Sequence, residues 1–505
     1  MPIKVRSAST FGIEALPIEV EVDFSSGLHS FQIIGLADKA IEESRERISL
    51  ALKNSGIKPP LSFHKKLIIN LAPADIKKEG AGYDLAMAIG FALASEQIQK
   101  FEAKNKVFVG ELALDGSTRK TPGILPIVEM AAKNKFEAVF IPEENAPEAS
   151  LLANQIKIIP IKTLEQLILH LENTKLVEPV KHSFSTDFFE PEFEIHEIAG
   201  LDSVKRVLEI AAAGGHNLLL KGTPGTGKTL LAKALPSLLP PLTIQEATEI
   251  TKIYSVAGLL NKNQPLIKTR PFRNPHHTAS AVAIVGGGQN PKPGEISLAH
   301  RGVLFLDEIL EFNRPVLESL RQPLEEGMIS VSRARKNLIF PAKFSLVAAM
   351  NPCPCGWFGD PRHDCSCSMS SIQKYQKKLS GPLLDRIDLI VKVPRINFAQ
   401  LKAEKDSRAT EKIKQKVRRA REQQKQRFEN EKILTNSEMK LKQIEKFCQL
   451  DSSSEQLIEK AEKQFILSPR AIHRILKVSR TIADLDGSEN IKMPHLAEAL
   501  QYREE

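Results

Sequence analysis

The chain has 505 residues, of which 42% are hydrophobic and 26% charged, a composition typical of a globular protein with several domains. Its longest apolar run, LAMAIGFALA at residues 85–94, is about half of a membrane span, so the sequence predicts no transmembrane helix and no membrane partner. The formal net charge of +9 permits a polyanionic partner without requiring one. The N-terminal sequence lacks the apolar core of a secretory signal, so we expect a cytoplasmic protein.

Residues 1–172 alternate strand-like runs with helical stretches, which predicts an α/β domain. IEVEVDF, LIINLA and AVFIP are typical of strands, whereas DKAIEESRERISLALKNSG has helical periodicity. Residues 173–195 have little periodicity and contain two prolines in extended contexts. We therefore interpret residues 173–195 as a linker.

Residues 196–395 form a second predicted α/β unit, whose strands alternate with helices and therefore pair in parallel. The motif GTPGTGKT stands between the predicted strand NLLLK and a helix, the context of a P-loop. Backbone N–H groups of such a loop surround the β-phosphate, while Lys228 reaches the β/γ oxygens and the Thr229 hydroxyl ligates Mg²⁺. ATP and Mg²⁺ are the predicted cofactors. The predicted nucleotide-binding residues are Gly222, Thr223, Pro224, Gly225, Thr226, Gly227, Lys228 and Thr229.

Polar residues end the next two predicted strands of this unit. Asp307 follows the apolar run VLFL and is suited to hold the magnesium shell, while Glu308 is suited to polarise the attacking water. Asn351 ends FSLVAAMN, and on an adjacent parallel strand it would lie level with Glu308 and position the same water. The pairing predicts ATP hydrolysis as well as binding.

Three downstream arginines are candidates to stabilise charge on the γ-phosphate. Arg386 lies in GPLLDRIDLIV, and Arg470 and Arg474 lie one helical turn apart in LSPRAIHRIL. Guanidinium groups suit the developing charge of phosphoryl transfer. Taken singly, each arginine is more often a surface or salt-bridge residue.

Four of the five cysteines, Cys353, Cys355, Cys365 and Cys367, lie within fifteen residues in two C-x-C pairs. Four thiolates on one loop can close a tetrahedron around Zn²⁺, although C-x₂-C is the commoner spacing. His363 is an alternative ligand. Reduced free thiols are the competing interpretation, and disulfides are disfavoured in a reducing cytosol. Zinc at these cysteines is the favoured hypothesis.

Residues 396–505 show helical periodicity alone, which predicts a C-terminal helical domain. Within it, residues 401–430 carry 11 Lys and Arg against 5 Asp and Glu. A solvated helix explains this charge, and DNA binding is compatible with it.

The motifs GTPGTGKT, MNPCPCG, LSGPLLDRIDL and LSPRAIHRILKVSRTIADL resemble those of the YifB/ComM family of magnesium-chelatase-like AAA+ ATPases. The resemblance covers nearly the full length. It implies that Asn351 is the sensor 1 residue, that Arg386 is an arginine finger acting on a neighbouring subunit, and that Arg470 is the sensor 2 residue of a helical lid. It also implies a ring, with a homo-hexamer as the family expectation.

The N-terminal domain resembles the fold shared by ribosomal protein S5 and the Lon protease domain. At the position of the protease serine this chain has Gly82, and Leu125 stands near the position of the lysine. A Ser–Lys mechanism needs both nucleophile and base, so we expect no proteolysis. The fold class implied is α/β: an S5/Lon-protease-like domain, a P-loop AAA+ core and a C-terminal helical lid.

The family resemblance implies an ATP-driven motor on single-stranded or branched DNA, with helicase and branch-migration activity during natural transformation. Two alternatives stay open: an ATPase subunit for metal insertion into a tetrapyrrole, and a protein-remodelling ATPase. The fused N-terminal domain and the cysteine loop are not expected of a chelatase motor subunit. Stimulation of hydrolysis by DNA or by unfolded protein would separate the motor from the remodelling ATPase.

Overall fold

The computed structural model describes residues 2–28, 30–36, 38–78, 80–182, 193–261, 264–288, 291–332, 337–396, 407–431 and 433–503. Residues 183–192 of the predicted linker and residues 401–406 of the basic segment lie outside the described residues. No helix in the described part of the chain is long and apolar enough to cross a membrane.

The strands, numbered in chain order, are β1 Ile3–Phe11, β2 Glu14–Ser25, β3 Ser30–Ile34, β4 Lys66–Ala72, β5 Lys106–Phe108, β6 Glu111–Leu112, β7 Thr118–Arg119, β8 Ala138–Pro142, β9 Lys157–Ile161, β10 Leu218–Lys221, β11 Phe272–Arg273, β12 Gly286–Gly287, β13 Lys292–Pro293, β14 Val303–Leu306, β15 Met328–Ser332, β16 Asn337–Pro341, β17 Ser345–Met350 and β18 Leu389–Lys392.

The helices, which are named below by their end residues, are Lys39–Asn54, Asp84–Ala94, Ile124–Lys133, Ala146–Ala149, Leu164–Leu171, Asp202–Gly214, Lys228–Leu238, Ile244–Ala257, Ala281–Val285, Glu295–Leu298, Arg314–Ser319, Arg321–Glu326, Met369–Gln376, Gly381–Leu384, Ser407–Arg427, Leu441–Phe447, Ser452–Phe465, Pro469–Leu485 and Met493–Gln501.

The chain forms two compact units. The first comprises the described residues of Met1–Asp187, Thr243–Lys268 and Ser332–Ile339. Its main sheet has the order β3-β4-β2-β1-β5-β8-β9, with antiparallel pairing of β2 to β1 and β4 and parallel pairing elsewhere. The apolar helix Asp84–Ala94 is almost wholly buried against this sheet, as its run of small and large apolar residues requires.

The helix Ile244–Ala257 belongs to the first unit, although its sequence follows the P-loop helix and precedes β11. Lys252 Nζ lies 2.8 Å from Glu129 Oε2, and the Ser255 carbonyl accepts a hydrogen bond from the Gly123 N–H at 3.0 Å. Residues 244–257 therefore lie within the range 196–395 in sequence but pack in the first unit.

The second unit contains a five-stranded parallel sheet of order β11-β14-β17-β10-β18. The residues of β14 are all buried, as are most of those of β17, because helices cover both faces of such a sheet. The helix Lys228–Leu238 follows β10 directly. This architecture confirms the predicted α/β class with a parallel core followed by a helical region.

The C-terminal helices share a core with this sheet. Buried apolar residues of Ser407–Arg427, Pro469–Leu485 and Met493–Gln501 pack with those of Asp202–Gly214. Within the C-terminal region Asp484 is buried between two arginines, with Oδ1 at 2.5 Å from Arg427 Nη2 and 3.0 Å from Arg480 Nη2. Burial of this carboxylate is tolerated because both partners carry the opposite charge.

Candidate nucleotide site and cysteine cluster

Residues 222–227 form the loop that joins β10 to the helix Lys228–Leu238. Gly227 stands at the N-terminus of this helix with φ +85°, a left-handed conformation that glycine adopts readily. Since β10 lies between β17 and β18, the carboxyl ends of three parallel strands meet around the loop. The first helical turn presents unpaired backbone N–H groups there, which suits an anion.

A hydroxyl and a carboxylate meet at the edge of this loop. Thr229 Oγ1 donates a hydrogen bond to Asp307 Oδ2 at 2.9 Å, and Asp307 Oδ1 accepts from the Glu308 N–H at 3.0 Å. Glu308 has φ +49°, which is uncommon for a residue with a Cβ, and its side chain is exposed at this turn. Oxygen atoms of this kind are the ligands that Mg²⁺ prefers, so the pair fits the metal.

Lys228 connects the loop to Asn351. Its Nζ donates to the carbonyl oxygens of Gly222 at 2.7 Å and Thr223 at 3.0 Å, and to Asn351 Oδ1 at 3.1 Å. Burial lowers the pKa of Lys228, although the charges of Asp307 and Glu308 oppose this. A phosphate bound beside Nζ would stabilise the ammonium form, so the buried lysine fits a polyanionic ligand.

The register of the strands explains why Asn351 lies beside the P-loop. β14 pairs with β17 so that Leu306 is opposite Ala348, and β10 pairs with β17 so that Lys221 is opposite Met350. Asn351 comes one residue after Met350, beside the start of the loop. Glu308 and Asn351 thus follow adjacent parallel strands at the same edge of the sheet.

The candidate arginines make no hydrogen bond to the nucleotide-site residues among the described residues. Arg386 donates to Glu325 Oε2 at 2.5 Å and to the Pro382 carbonyl at 2.6 Å. The bond from Arg386 lowers the pKa of Glu325, and the charge of Arg470, which is exposed, lowers it further. Arg386 is therefore paired with Glu325 in this structure. No sequence signal pointed to Glu325.

Arg474 has a different environment from Arg470. Its Nη1 donates to the carbonyl oxygens of Leu384 at 2.9 Å and Ile387 at 2.7 Å, and its Nη2 lies 3.2 Å from Asp385 Oδ1. These bonds hold the segment that carries Arg386. In this structure Arg474 supports the backbone around the candidate finger.

The four clustered cysteines converge. Cys353 Sγ lies 3.4 Å from Cys355 Sγ and 3.7 Å from Cys365 Sγ, and the four sulfur atoms, including that of Cys367, are all within 4.8 Å of one another. A tetrahedral zinc site with bonds of about 2.3 Å needs sulfur atoms about 3.8 Å apart. The donor set therefore fits one metal ion.

Backbone N–H groups surround the sulfur atoms. The Phe358 N–H donates to Cys353 Sγ at 3.3 Å, and a hydrogen bond from the Trp357 backbone lowers the pKa of Cys355 to about 6, which favours its thiolate. Burial and hydrogen bonds from the neighbouring thiols raise the pKa of Cys365 and of Cys367, despite a backbone hydrogen bond to each. His363, the alternative ligand, packs its ring on Trp357 with centroids 4.4 Å apart and is outside the four-sulfur group.

The chain is similar in sequence to known proteins over most of its length. Three family models match the chain: magnesium chelatase, subunit ChlI, over residues 194–401, subunit ChlI of Mg-chelatase over 20–145, and the subunit ChlI C-terminal model over 407–503. The competence protein ComM of Haemophilus influenzae is 44% identical over 505 residues, which cover 99% of this chain and 97% of ComM. The chain belongs to the YifB/ComM family of magnesium-chelatase-like AAA+ ATPases.

Other relatives place the chain within this family. The uncharacterized protein YifB of Escherichia coli is 41% identical over 504 residues, covering 99% of this chain and 96% of YifB. The magnesium-chelatase subunit ChlI of Euglena gracilis is 23% identical over 185 residues, which cover 32% of this chain and 53% of that subunit. Membership in the YifB/ComM family implies ATPase activity, with ATP and Mg²⁺ as the cofactors that the described site fits.

Proposed function

We propose that this protein is a ring-forming ATPase that moves DNA, single-stranded or branched, in the recombination steps of natural transformation. The ATPase activity in this proposal is supported by one cluster at the carboxyl ends of the parallel strands. Its members are Lys228, Thr229, Asp307 and Asn351. Bound MgATP supplies the phosphoanhydride bond to be cleaved. Lys228 binds the β/γ oxygens, Thr229 and Asp307 hold the magnesium shell, and Glu308 and Asn351 position and polarise the attacking water.

The ring follows from the arginines in this proposal. Arg386 is paired with Glu325, and among the described residues neither Arg386 nor Arg470 makes a hydrogen bond or ion pair with the P-loop, so a second copy would supply the finger to this site. Glu325 then holds Arg386 between catalytic cycles. Arg386 acts as a finger on the neighbouring γ-phosphate and Arg470 acts from the lid, which requires a closed ring, by family expectation a homo-hexamer.

DNA as the substrate is supported by the exposed face of the helix Ser407–Arg427. Four exposed basic residues, spaced by four, four and three positions, follow one face of it: Arg408, Lys412, Lys416 and Arg419. Two further basic residues of this helix contact the protein, since Lys414 lies 2.6 Å from Glu194 and Arg421 donates to the Ala212 carbonyl. A basic stripe along a helix suits a phosphate backbone.

The relatives favour DNA over metal insertion. The match to the chelatase subunit of Euglena covers 32% of the chain, whereas the match to the competence protein covers 99% of it. A role in competence requires handling of DNA taken up by the cell, and an ATPase of this family supplies the motor.

The experiment is an ATPase assay with branched DNA, single strands, unfolded protein and no addition. We expect stimulation by DNA alone. Lys412→Glu with Lys416→Glu should abolish the stimulation and reduce the salt dependence of DNA binding, because phosphate contacts are lost. The matched control is Lys460→Glu with Lys463→Glu, the same charge change on another exposed helix. Stimulation by unfolded protein and not by DNA would identify a remodelling ATPase instead.

We also infer that Cys353, Cys355, Cys365 and Cys367 bind one structural Zn²⁺, on the convergence of their sulfur atoms. Protein purified without chelators should then contain about one zinc per chain. Cys367→Ser should release the metal, because a hydroxyl is a far weaker ligand than a thiolate. Metal-free protein with four thiols that titrate freely would leave the cysteines as reduced thiols.

A further inference from the structure

The loop that carries the cysteines lies directly against the P-loop. A Cβ added to Gly356 would stand 2.7 Å from Cγ and 2.8 Å from Cδ of Pro224, closer than real Cβ contacts. Pro224 is the third residue of the GTPGTGKT motif. The Gly356 backbone and the Pro224 ring are therefore in close contact, and a shift of one loop displaces the other.

Arg395, which follows β18, joins the same two loops from another side. Its Nε lies 2.7 Å from Asp360 Oδ2 in the cysteine loop and donates to Thr223 Oγ1 in the P-loop at 3.3 Å. The guanidinium carbon stands 5.0 Å from the ring centroid of Trp357, within the range of a cation–π interaction. The Asp360 side chain is 1% exposed, so water competes little for this ion pair.

The contacts converge on the groups that hold Lys228. Thr223, which Arg395 touches through its hydroxyl, also accepts a hydrogen bond from Lys228 Nζ through its carbonyl. Asn351, whose side-chain Oδ1 also accepts from Lys228 Nζ, stands two residues before Cys353. The cysteine loop is thus connected to Lys228 in two ways. One connection runs through Arg395 and Thr223, and the other runs through Asn351.

We propose that Arg395 is a positioning residue for the P-loop and that metal bound by the four cysteines makes this positioning effective. The segment between Cys355 and Cys365 has mostly exposed or half-buried side chains and no helix or strand among the described elements. A metal cross-link at both ends of that segment limits the positions that Asp360 and Trp357 can take. Metal occupancy therefore regulates nucleotide affinity at a site the metal does not touch.

This inference rests on the proposed ATP and zinc sites. Arg395→Ala tests the connection between the two sites without changing a residue of either site. We expect the variant to keep about one zinc per chain and to raise the Kd for ATP about tenfold, the effect of losing the hydrogen bond that the charged guanidinium donates to Thr223 Oγ1. Arg395→Lys should recover part of the affinity, because it keeps the charge opposite Asp360. Lys374→Ala, at an exposed basic residue of the helix Met369–Gln376 that follows this loop, is the control and should bind ATP like the wild type.

The decisive measurement is a double-variant cycle. Cys367→Ser should release zinc and weaken ATP binding in the wild-type background, and should weaken it much less once Arg395 is alanine, because the connection is already broken. Independent, multiplying effects would overturn the proposal, as would wild-type ATP affinity for Arg395→Ala. A wild-type chain without bound metal overturns the regulatory part alone, and a wild-type chain that does not hydrolyse ATP refutes the proposed function.

Discussion

Gly356→Ala tests the contact between the cysteine loop and the P-loop with a single methyl group. Gly356 has φ +86°, and a left-handed conformation costs a residue with a Cβ about 1–2 kcal/mol. The new Cβ also meets Pro224 at 2.7 and 2.8 Å, and inserting a methyl into packed structure costs typically about 1–3 kcal/mol more. We expect the loss of unfolding free energy to be about 2–5 kcal/mol in sum.

Gly359→Ala supplies the matched control within the same loop. Gly359 has φ +77°, so alanine meets the same backbone strain, but a Cβ built there has no heavy atom within 4 Å. Its expected loss is therefore the strain alone, about 1–2 kcal/mol. Subtracting one variant from the other isolates the contact with Pro224.

The assays are urea unfolding and equilibrium binding of ATP. If about 1.4 kcal/mol of the clash is relieved by moving the P-loop, ATP affinity falls about tenfold in Gly356→Ala and stays at the wild-type value in Gly359→Ala. Equal ATP affinity in the two variants would refute the reasoning, because the clash would then be absorbed outside the nucleotide site.

The remaining predictions concern the catalytic groups and the C-terminal core. Lys228→Ala should lose nucleotide affinity, because it removes the positive charge that faces the phosphates, whereas Glu308→Gln should keep ATP bound and stop turnover, because it removes the group that activates water. Equilibrium binding and single-turnover hydrolysis distinguish the two variants, and normal turnover by Glu308→Gln contradicts its role. Arg386→Ala should bind ATP and not hydrolyse it, and mixing it with Glu308→Gln should restore some activity, because some interfaces then combine two intact halves; no rescue despite confirmed subunit mixing argues against a shared site. Asp484→Ala should lower the unfolding free energy by about 3 kcal/mol or more, because two largely buried arginines lose their carboxylate; a urea-denaturation loss below about 1 kcal/mol is incompatible with this account.

Local sequence determined the fold class and the placement of the nucleotide-site residues. The P-loop is a contiguous motif between a strand and a helix, and its backbone geometry depends on its own glycines. Asp307 and Asn351 end apolar runs, and carboxyl ends of neighbouring parallel strands meet at one sheet edge, so their proximity to the loop was predictable. The structure has Thr229 and Asp307 2.9 Å apart.

Only the tertiary structure decided which distant segments touch that site. Arg395 and Thr223 are 172 positions apart, and Arg386 and Glu325 are 61 apart, with no motif linking either pair. The helix Ile244–Ala257 likewise joins the first unit through Glu129, 123 positions away from its partner Lys252. Periodicity reports which face of an element is buried, whereas the partner across that face depends on how whole elements pack, and packing is a property of the folded chain.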